Sequence, residues 1–177
     1  MRTIQWSLLS NVAVLVSLLL IISCSQEDEV FTGPFLIKDG VTYDQDTNEP
    51  INGIALSTFG DDQSGIELKK KTAFKNGRKN GLEELFHQDG KLASRIRYKD
   101  GVKDGPLETY WPSGQLYTRV SYIAGKESGL YERFYSNGQL MIRQNYEDGV
   151  LHGVFEDFNQ NGDLIQTAVY EKGVKIE

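Results

Sequence analysis

Cysteine, histidine and basic charge are all scarce in this chain of 177 residues, and each shortage excludes a class of protein. One cysteine cannot form an internal disulfide or a thiolate zinc site, and two histidines cannot supply a histidine-rich metal cluster. Lysine and arginine number 19 against 25 aspartates and glutamates, which gives a formal net charge of −6. Because nucleic-acid affinity depends on basic side chains that neutralise phosphates, no nucleic-acid partner is expected.

A long hydrophobic run is present only near the N-terminus, where residues 12–22 are apolar except for Ser17. A helix that spans a bilayer needs about 20 apolar residues, and this run is roughly half as long. A short polar start followed by such a run is typical of a secretory signal peptide, predicted here over residues 1–23. An uncleaved membrane anchor is the alternative interpretation.

The end of this run, Ile21-Ile22-Ser23-Cys24, resembles the bacterial lipoprotein box. The resemblance implies that the Cys24 sulfur is acylated, as by palmitate, and that this lipid binds the protein to a membrane. Residues 24–34 are then a flexible acidic tether. Residues 25–29 are similar to the tag that exports lipoproteins to the cell surface in some bacteria. The expected location is therefore the outer membrane of a bacterial cell envelope, facing either the cell surface or the periplasm.

The rest of the chain is organised by a 24-residue period. Glycine, leucine, aromatic and glutamate positions all recur at this spacing, and so many columns in one register do not arise by chance. Two of the glycine columns contain Gly77, Gly101, Gly125, Gly149 and Gly173, and Gly90, Gly114, Gly138 and Gly162. The glutamate column contains Glu84, Glu108, Glu132 and Glu156. We therefore predict one repeat array over residues 35–177.

The array divides into units on the same spacing. A degenerate first repeat covers about residues 39–74, and a C-terminal cap covers residues 171–177. The four regular repeats between them are residues 75–98, 99–122, 123–146 and 147–170. Terminal repeats are often atypical because they cap the stack.

Each unit is predicted to be a β-hairpin, because its flanks are rich in aromatic and branched residues and Asn-Gly marks a turn. The fold class is therefore all-β: a meander of tandem hairpins that forms one elongated, curved antiparallel sheet. Residues 99–105 and their equivalents are expected to form a double turn between hairpins. Since no helix is predicted that could cover the sheet, we expect it to curl or roll on itself around stacked aromatic side chains.

Side-chain alternation along the strands predicts the loop of each hairpin. In the third regular repeat we predict a three-residue loop over residues 136–138, a type I turn that ends with a left-handed glycine. This loop pairs Phe134 with Leu140 and keeps the apolar columns on one face. By the same alternation it pairs Glu132 with Ile142.

Two segments carry the repeat most clearly, Phe134-Tyr135-Ser136-Asn137-Gly138-Gln139-Leu140 and Tyr110-Trp111-Pro112-Ser113-Gly114-Gln115-Leu116. With the aromatic, Gly-x-x-x-Gly and glutamate positions that follow, they resemble the bacterial variant of the MORN repeat, over about residues 39–177. The Tyr-x-Gly-x-Trp opening of the eukaryotic repeat is absent, so the lipid-headgroup binding of some eukaryotic members is not expected. The resemblance implies a lipoprotein or an antitoxin-like protein.

The glutamate column could perform acid–base chemistry or could be a structural device. An active site is a single constellation, whereas these acids recur once per repeat, about 10 Å apart. Alternation places them on the same face as Leu82 and Phe86, which we expect to be buried. Buried carboxylates need partners, expected to be turn N–H groups or the side chains of Ser94, Thr118 and Gln166. We favour the structural role and expect no catalytic residue, no metal and no cofactor.

The opposite face, by the same alternation, carries arginine and aromatic side chains, which supply much of the binding energy at protein interfaces. These side chains are densest in the second and third regular repeats. The alternative is a solvated face whose long side chains cover one another. The candidate partner-binding residues are Trp111, Tyr117, Arg119, Tyr131, Arg133, Tyr135 and Arg143.

The expected function is that of an envelope-anchored lipoprotein whose repeat sheet binds a protein or a glycan without catalysis. Neutralisation of a toxin, as an antitoxin-like or immunity protein, is the alternative that the family resemblance adds, and an envelope hydrolase is a third. Edge strands at both ends of the sheet could pair between molecules, so the oligomeric state is left open.

Overall fold

The computed structural model describes residues 29–59 and 67–177, and this part of the chain is all-β. The predicted signal peptide, Cys24 and the start of the tether lie outside the described residues. The strands are β1 (Val30–Phe31), β2 (Phe35–Lys38), β3 (Val41–Asp44), β4 (Gly53–Phe59), β5 (Glu67–Lys75), β6 (Arg78–Phe86), β7 (Leu92–Lys99), β8 (Val102–Tyr110), β9 (Leu116–Ile123), β10 (Lys126–Phe134), β11 (Leu140–Glu147), β12 (Val150–Leu151), β13 (Gly153–Phe158), β14 (Leu164–Glu171) and β15 (Val174–Lys175).

Thirteen of these strands form one sheet whose strand order follows the chain. Neighbouring strands pair antiparallel, apart from β1, which pairs parallel with β4. Strands β2 and β3 form a separate two-stranded sheet. The first and last strands of the large sheet do not pair with each other, so the sheet does not close. The prediction of one all-β meander of consecutive hairpins is confirmed.

The predicted hairpin loop is present, but the strand pairing behind it differs from the prediction. Phe134 pairs with Leu140, and Gly138 has a φ of 86°, as expected for a three-residue loop. The predicted pairing of Glu132 with Ile142 is wrong, because the register shifts between Arg133 and Phe134. Ile142 pairs with Arg133 instead, and Glu132 pairs with Arg143. One residue of the return strand, Met141, is therefore extra.

The same one-residue β-bulge recurs in each hairpin of the array that the structure describes. A bulge places two residues of one strand opposite one residue of the other. Because side chains alternate between faces, one extra residue moves all later side chains of the return strand to the face opposite the predicted one. The bulge residues are 24 apart and are Lys69, Ala93, Tyr117, Met141 and Ile165.

The link between hairpins is a two-residue turn rather than the predicted double turn. Asp100 and Gly101 have φ values of 50° and 87°, and Lys99 pairs with Val102 on either side of them. Positive φ at both central residues is the signature of a type I′ turn, which matches the twist of the flanking strands. The second glycine of the predicted double turn, Gly105, lies inside β8, at a register shift and with a φ of 124°.

The two faces of the sheet differ in burial. We call inner face the side of the sheet that carries a column of buried side chains at the 24-residue spacing. Its members Thr72, Ile96, Val120 and Ala168 are 1%, 4%, 3% and 2% exposed. We call outer face the opposite side, which carries the glutamate column. Leu82 and Leu130 lie there and are about 40% exposed. The prediction that the glutamate face is the buried one is therefore wrong.

The inner face of the first repeat is covered by the β2–β3 hairpin, which the sequence did not predict. The Thr42 N–H donates to the Gly77 carbonyl at 2.8 Å, and the Gly77 N–H donates to the Ile51 carbonyl at 2.8 Å. Phe35 and Ile37 of the hairpin line one small cavity together with residues of β4 to β6. Burial of apolar surface at this end of the sheet is thus achieved by an added hairpin.

Alanine substitution of two equivalent turn glycines should separate backbone strain from docking of this hairpin. Gly77 and Gly101 both have positive φ, at 70° and 87°. A Cβ on Gly77 would overlap Val41 Cγ1 and lie 2.6 Å from the Thr42 oxygen, whereas a Cβ on Gly101 has no neighbour within 4 Å. We expect Gly101→Ala to cost about 1–2 kcal/mol of unfolding free energy from strain. Gly77→Ala should cost about 2 kcal/mol more because of the overlap.

The measurement is urea unfolding of both variants beside the unsubstituted protein. Equal losses at the two glycines would mean that the β2–β3 hairpin does not dock on the first turn.

Candidate functional site

The outer face carries a ladder of alternating charges across eight strands. Directly opposed residues on neighbouring strands bring each glutamate of the repeat column between two basic side chains, except at the C-terminal end. Opposite charges at directly opposed positions stabilise a sheet, and like charges destabilise it. In strand order the charge ladder is Lys71, Glu84, Arg95, Glu108, Arg119, Glu132, Arg143 and Glu156.

Glu108 is the best-satisfied carboxylate of the charge ladder. The Nε atoms of Arg95 and Arg119 lie 2.7 and 3.1 Å from its two oxygens. The Tyr110 hydroxyl donates a third hydrogen bond at 2.8 Å. The Glu108 side chain is 11% exposed, while both arginines are about half exposed, at 48% and 49%. The guanidinium groups thus cover the carboxylate and keep their own outer edges in water.

The ion-pair distances at Glu132 and Glu156 are longer than those at Glu108. Arg119 and Arg143 lie on either side of Glu132, each with a nitrogen 3.7 Å from one of its oxygens. Arg143 also lies 3.4 Å from Glu156, whose side chain is 28% exposed. The acids do have partners, but these are the cationic side chains of the ladder, with Lys71 at Glu84 and arginines at the others. Among the described residues, the predicted turn N–H groups and the side chains of residues 94, 118 and 166 are not their partners.

Two opposing effects set the pKa of Glu108. Burial of the carboxyl opposes its ionisation, but hydrogen bonds from Tyr110, Arg95 and Arg119 outweigh burial and hold its pKa below the ordinary value of 4.5. Burial, together with the hydrogen bond to Glu108, raises the pKa of the Tyr110 hydroxyl. Glu108 is therefore a charged hydrogen-bond acceptor at neutral pH rather than a proton donor.

Two of the seven candidate partner-binding residues lie on the face opposite the one predicted. Arg119 and Arg143 belong to the charge ladder of the outer face, because each is paired directly with a glutamate. Tyr131 and Arg133 flank Glu132 in the same strand and therefore point to the inner face. The bulge explains the error, since it reverses the alternation of each return strand after its first residues.

The other candidates include a cluster of stacked side chains on the inner face. The rings of Trp111 and Tyr117 have centroids 4.4 Å apart. The Arg133 guanidinium lies 5.8 Å from the Tyr117 centroid and 5.9 Å from the Tyr131 centroid, and its NH2 donates to the Tyr131 hydroxyl at 2.9 Å. Tyr146 extends the cluster, 6.2 Å from Tyr131. We call these five residues the aromatic–arginine cluster; all are half-buried.

Tyr135 lies apart from this cluster and has a structural contact. Its hydroxyl donates to the Phe158 carbonyl of the next repeat at 2.9 Å. The indole N–H of Trp111 donates in the same way to the Phe134 carbonyl at 3.3 Å. In the preceding repeat, His87 Nε2 lies 3.4 Å from the backbone carbonyl oxygen of Tyr110. The contacts of this column connect each of these hairpin loops to the next repeat. Trp111 therefore contributes to the fold as well as to the cluster.

Sequence reasoning missed two further residues of the inner face. The Lys103 ammonium lies 4.7 Å from the centroid of Tyr122, within range of a cation–π contact. The Tyr122 hydroxyl donates to Glu127 at 3.1 Å. The signal was present in the repeat, because Lys79 and Tyr98 make the same cation–π contact one period earlier, at 4.6 Å.

Residues 29–59 and 67–177 contain no helix that is long and apolar enough to cross a membrane. Histidine, cysteine, aspartate and glutamate side chains in the same two segments form no group of three or more that could hold a metal ion.

Three consecutive segments of the chain match the model of a known repeat family, described as the MORN repeat variant. The matched residues are 79–100, 103–124 and 127–148. Each segment contains one hairpin with its three-residue loop and its bulge. No curated protein matches the chain. The family match and the observed hairpins thus describe the same structural unit.

Replacing Glu108 by glutamine should test the structural role of the charge ladder. The change removes the charge and keeps the shape, so we expect the unfolding free energy at pH 7 to fall by about 1–2 kcal/mol. Since the folded-state pKa lies below 4.5, this stabilisation is complete above pH 4.5 and is lost as the pH falls through that lower pKa. Urea unfolding between pH 7 and pH 3 should therefore show the two stabilities converge below pH 4.5.

Glu156→Gln is the matched control, because that carboxylate has a single arginine contact and is more exposed. We expect it to cost less than about 0.5 kcal/mol. Equal losses at the two positions, or a Glu108→Gln variant as stable as the unsubstituted protein at pH 7, would contradict this account of the ladder.

Proposed function

Because this chain is a repeat protein that contains MORN repeat variants, we propose that it is a non-catalytic binding module of the bacterial cell envelope. The module is tethered to the outer membrane by a lipid on Cys24. It binds a protein or a glycan through the inner face of the repeats at residues 99–146. The aromatic–arginine cluster is the centre of this surface.

The observation that carries this proposal is the environment of Arg133, which differs from that of the three arginines in the charge ladder. The outer-face residues Arg95, Arg119 and Arg143 each contact a glutamate. On the inner face, Arg133 has no carboxylate partner among the residues that the structure describes, and it stacks against two tyrosine rings. Arginine and aromatic side chains together form the energetic centres of many interfaces. An unpaired guanidinium held between half-exposed rings is suited to a ligand.

The arrangement of the carboxylates supports a function without catalysis. The glutamates of the outer face are spread one per repeat, and Glu108, Glu132 and Glu156 contact arginines. Acid–base catalysis by paired carboxylates needs two groups of different pKa beside one substrate. A carboxylate occupied by two guanidinium groups is poorly placed for proton transfer. The column is better explained as a device that holds neighbouring strands together.

Labelling with radioactive palmitate should test the proposed anchor. We expect the full-length protein to incorporate the label in bacterial cells and to fractionate with the outer membrane. Cys24→Ala should abolish labelling, because the thiol that receives the lipid is absent. The measurement is autoradiography of the immunoprecipitated protein, with membrane fractions compared by blotting. An unlabelled protein that keeps Met1 and stays in the membrane would support an uncleaved anchor instead.

Arg133→Ala should test the recognition surface. The change removes the unpaired guanidinium, so we expect partner retention from native envelope extract on the immobilised full-length protein to fall at least about fivefold. Retention is measured by quantitative mass spectrometry of the bound proteins and by carbohydrate analysis of the bound glycans. Circular dichroism should confirm that the variant is folded.

Arg143→Ala is the matched control, because it removes the same side chain ten residues further on, from the outer face. We expect this variant to be less stable and to retain partners as well as the unsubstituted protein, when compared per folded molecule. Unchanged retention by Arg133→Ala, or an equal loss with both variants, would refute the proposed surface.

A further inference from the structure

The inner face already has one occupant in this chain, the β2–β3 hairpin over the first repeat. Strand pairing places Phe35 and Ile37 on one side of the hairpin, together with Thr42. All three line the same cavity, of about 170 Å³, as Thr72 and Phe74 of the sheet. Phe35 is half-buried, whereas Ile37 is 69% exposed. The molecule thus shows one kind of element that its inner face accommodates: a β-hairpin with an aromatic side chain against the sheet.

The surface under this hairpin continues into the next repeats with the same layout. The buried column under the hairpin, which we call the floor, contains Thr72, Ile96 and Val120. The aromatic column on the same face contains Phe74, Tyr98 and Tyr122, and both tyrosines are half-buried. In the part of the chain that the structure describes, no second hairpin lies over the repeats that follow. The surface that one hairpin occupies is therefore open further along the sheet.

The charge of the surface changes between the covered repeat and the open repeats. In the covered repeat, the Lys79 ammonium lies 2.6 Å from the buried Glu83 carboxylate. One period later Leu107 stands in the place of Glu83, and Lys103 has no carboxylate partner among the described residues. Arg133 also lacks one. The open part of the inner face therefore has two cations without a direct carboxylate contact among the described residues, Lys103 and Arg133, while its carboxylate Glu127 accepts from the Tyr122 hydroxyl.

We infer that the open inner face over residues 99–146 binds an extended, acidic β-hairpin of a partner protein. An aromatic side chain of that hairpin packs on the floor as Phe35 does, and one of its carboxylates pairs with Lys103. This inference rests on the proposed function and narrows the partner from a protein or a glycan to a protein. The hairpin of a second copy is the less suitable occupant, because backbone hydrogen bonds at Thr42 and Gly77 hold it on its own sheet.

The probe for this inference is a cyclised synthetic peptide with the sequence of residues 33–46. The peptide carries Thr42→Glu, which places a carboxylate on the apolar side of the hairpin, beside Ile37. A matched peptide carries Thr42→Lys. Binding to the full-length protein is measured by fluorescence of a label on the peptide. We expect the acidic peptide to bind at least about fivefold more tightly than the basic one.

Charge reversal on the protein supplies the decisive comparison. With Lys103→Glu the preference should invert, so that the basic peptide binds more tightly than the acidic one. Lys79→Gln, under the chain's own hairpin, should leave the preference unchanged. Circular dichroism checks the fold of both variants. Equal affinity for the two peptides, or a preference that Lys103→Glu does not change, would overturn the inference.

Two further outcomes separate this inference from the proposed function. If neither peptide binds while retention from envelope extract still depends on Arg133, the inference is wrong and the proposed function stands. If retention is also independent of Arg133, both fail. Self-association of the full-length protein that Lys103→Glu abolishes would make a second copy the occupant and would likewise overturn the inference.

Discussion

The extra residue in each hairpin is the constraint on which the rest of this structure depends. In a sheet, a shift of one residue exchanges the two faces. With its bulge, the return strand presents Arg95, Arg119 and Arg143 to the glutamate column. Without the bulge, each glutamate would face an uncharged side chain, such as Thr118 opposite Glu108 or Ile142 opposite Glu132. The bulge therefore converts two separate columns of the sequence into one neutralised ladder.

Under the proposed function, stability and recognition are separated between the two faces of the sheet. A single surface ion pair contributes little, because it holds two long side chains in one geometry. In the charge ladder, each side chain that is not at an end of the ladder lies between two charges of opposite sign. One ordered arginine therefore contacts two glutamates, as Arg119 contacts Glu108 and Glu132. The inner face has no such continuous row of ion pairs in the part of the chain that the structure describes. Its buried column supports the fold, while Lys103 and Arg133 stack on tyrosine rings. In the proposed function these two cations are the groups that a ligand meets.

Much of the fold was predictable from the sequence, because period and turn residues are local signals. Three-residue loops follow from glycines such as Gly138, and hairpins in chain order follow from the repeat. The assignment of faces was not predictable in the same way. A bulge residue such as Met141 resembles any other strand residue, and only the pairing partner reveals it. The β2–β3 hairpin was missed because it lies outside the period and is fixed by contacts between distant residues, such as Thr42 and Gly77.

Under the proposed function, the positions that break the repeat would give the sheet its binding specificity. Columns that hold the array together vary little, since a change of charge or of turn residue would disturb both neighbouring repeats. On the inner face the column that begins with Glu83 continues with Leu107, Tyr131 and Phe155, and Arg133 occurs once in its own column. Tyr131 and Phe155 still make the same edge-to-face contact, with Tyr146 and Tyr170. Glu83, Leu107 and Arg133 differ in chemistry from the residues at the equivalent positions of the neighbouring repeats. A ligand that spans several repeats would meet a different group at each one, which lets a periodic scaffold present a non-periodic surface.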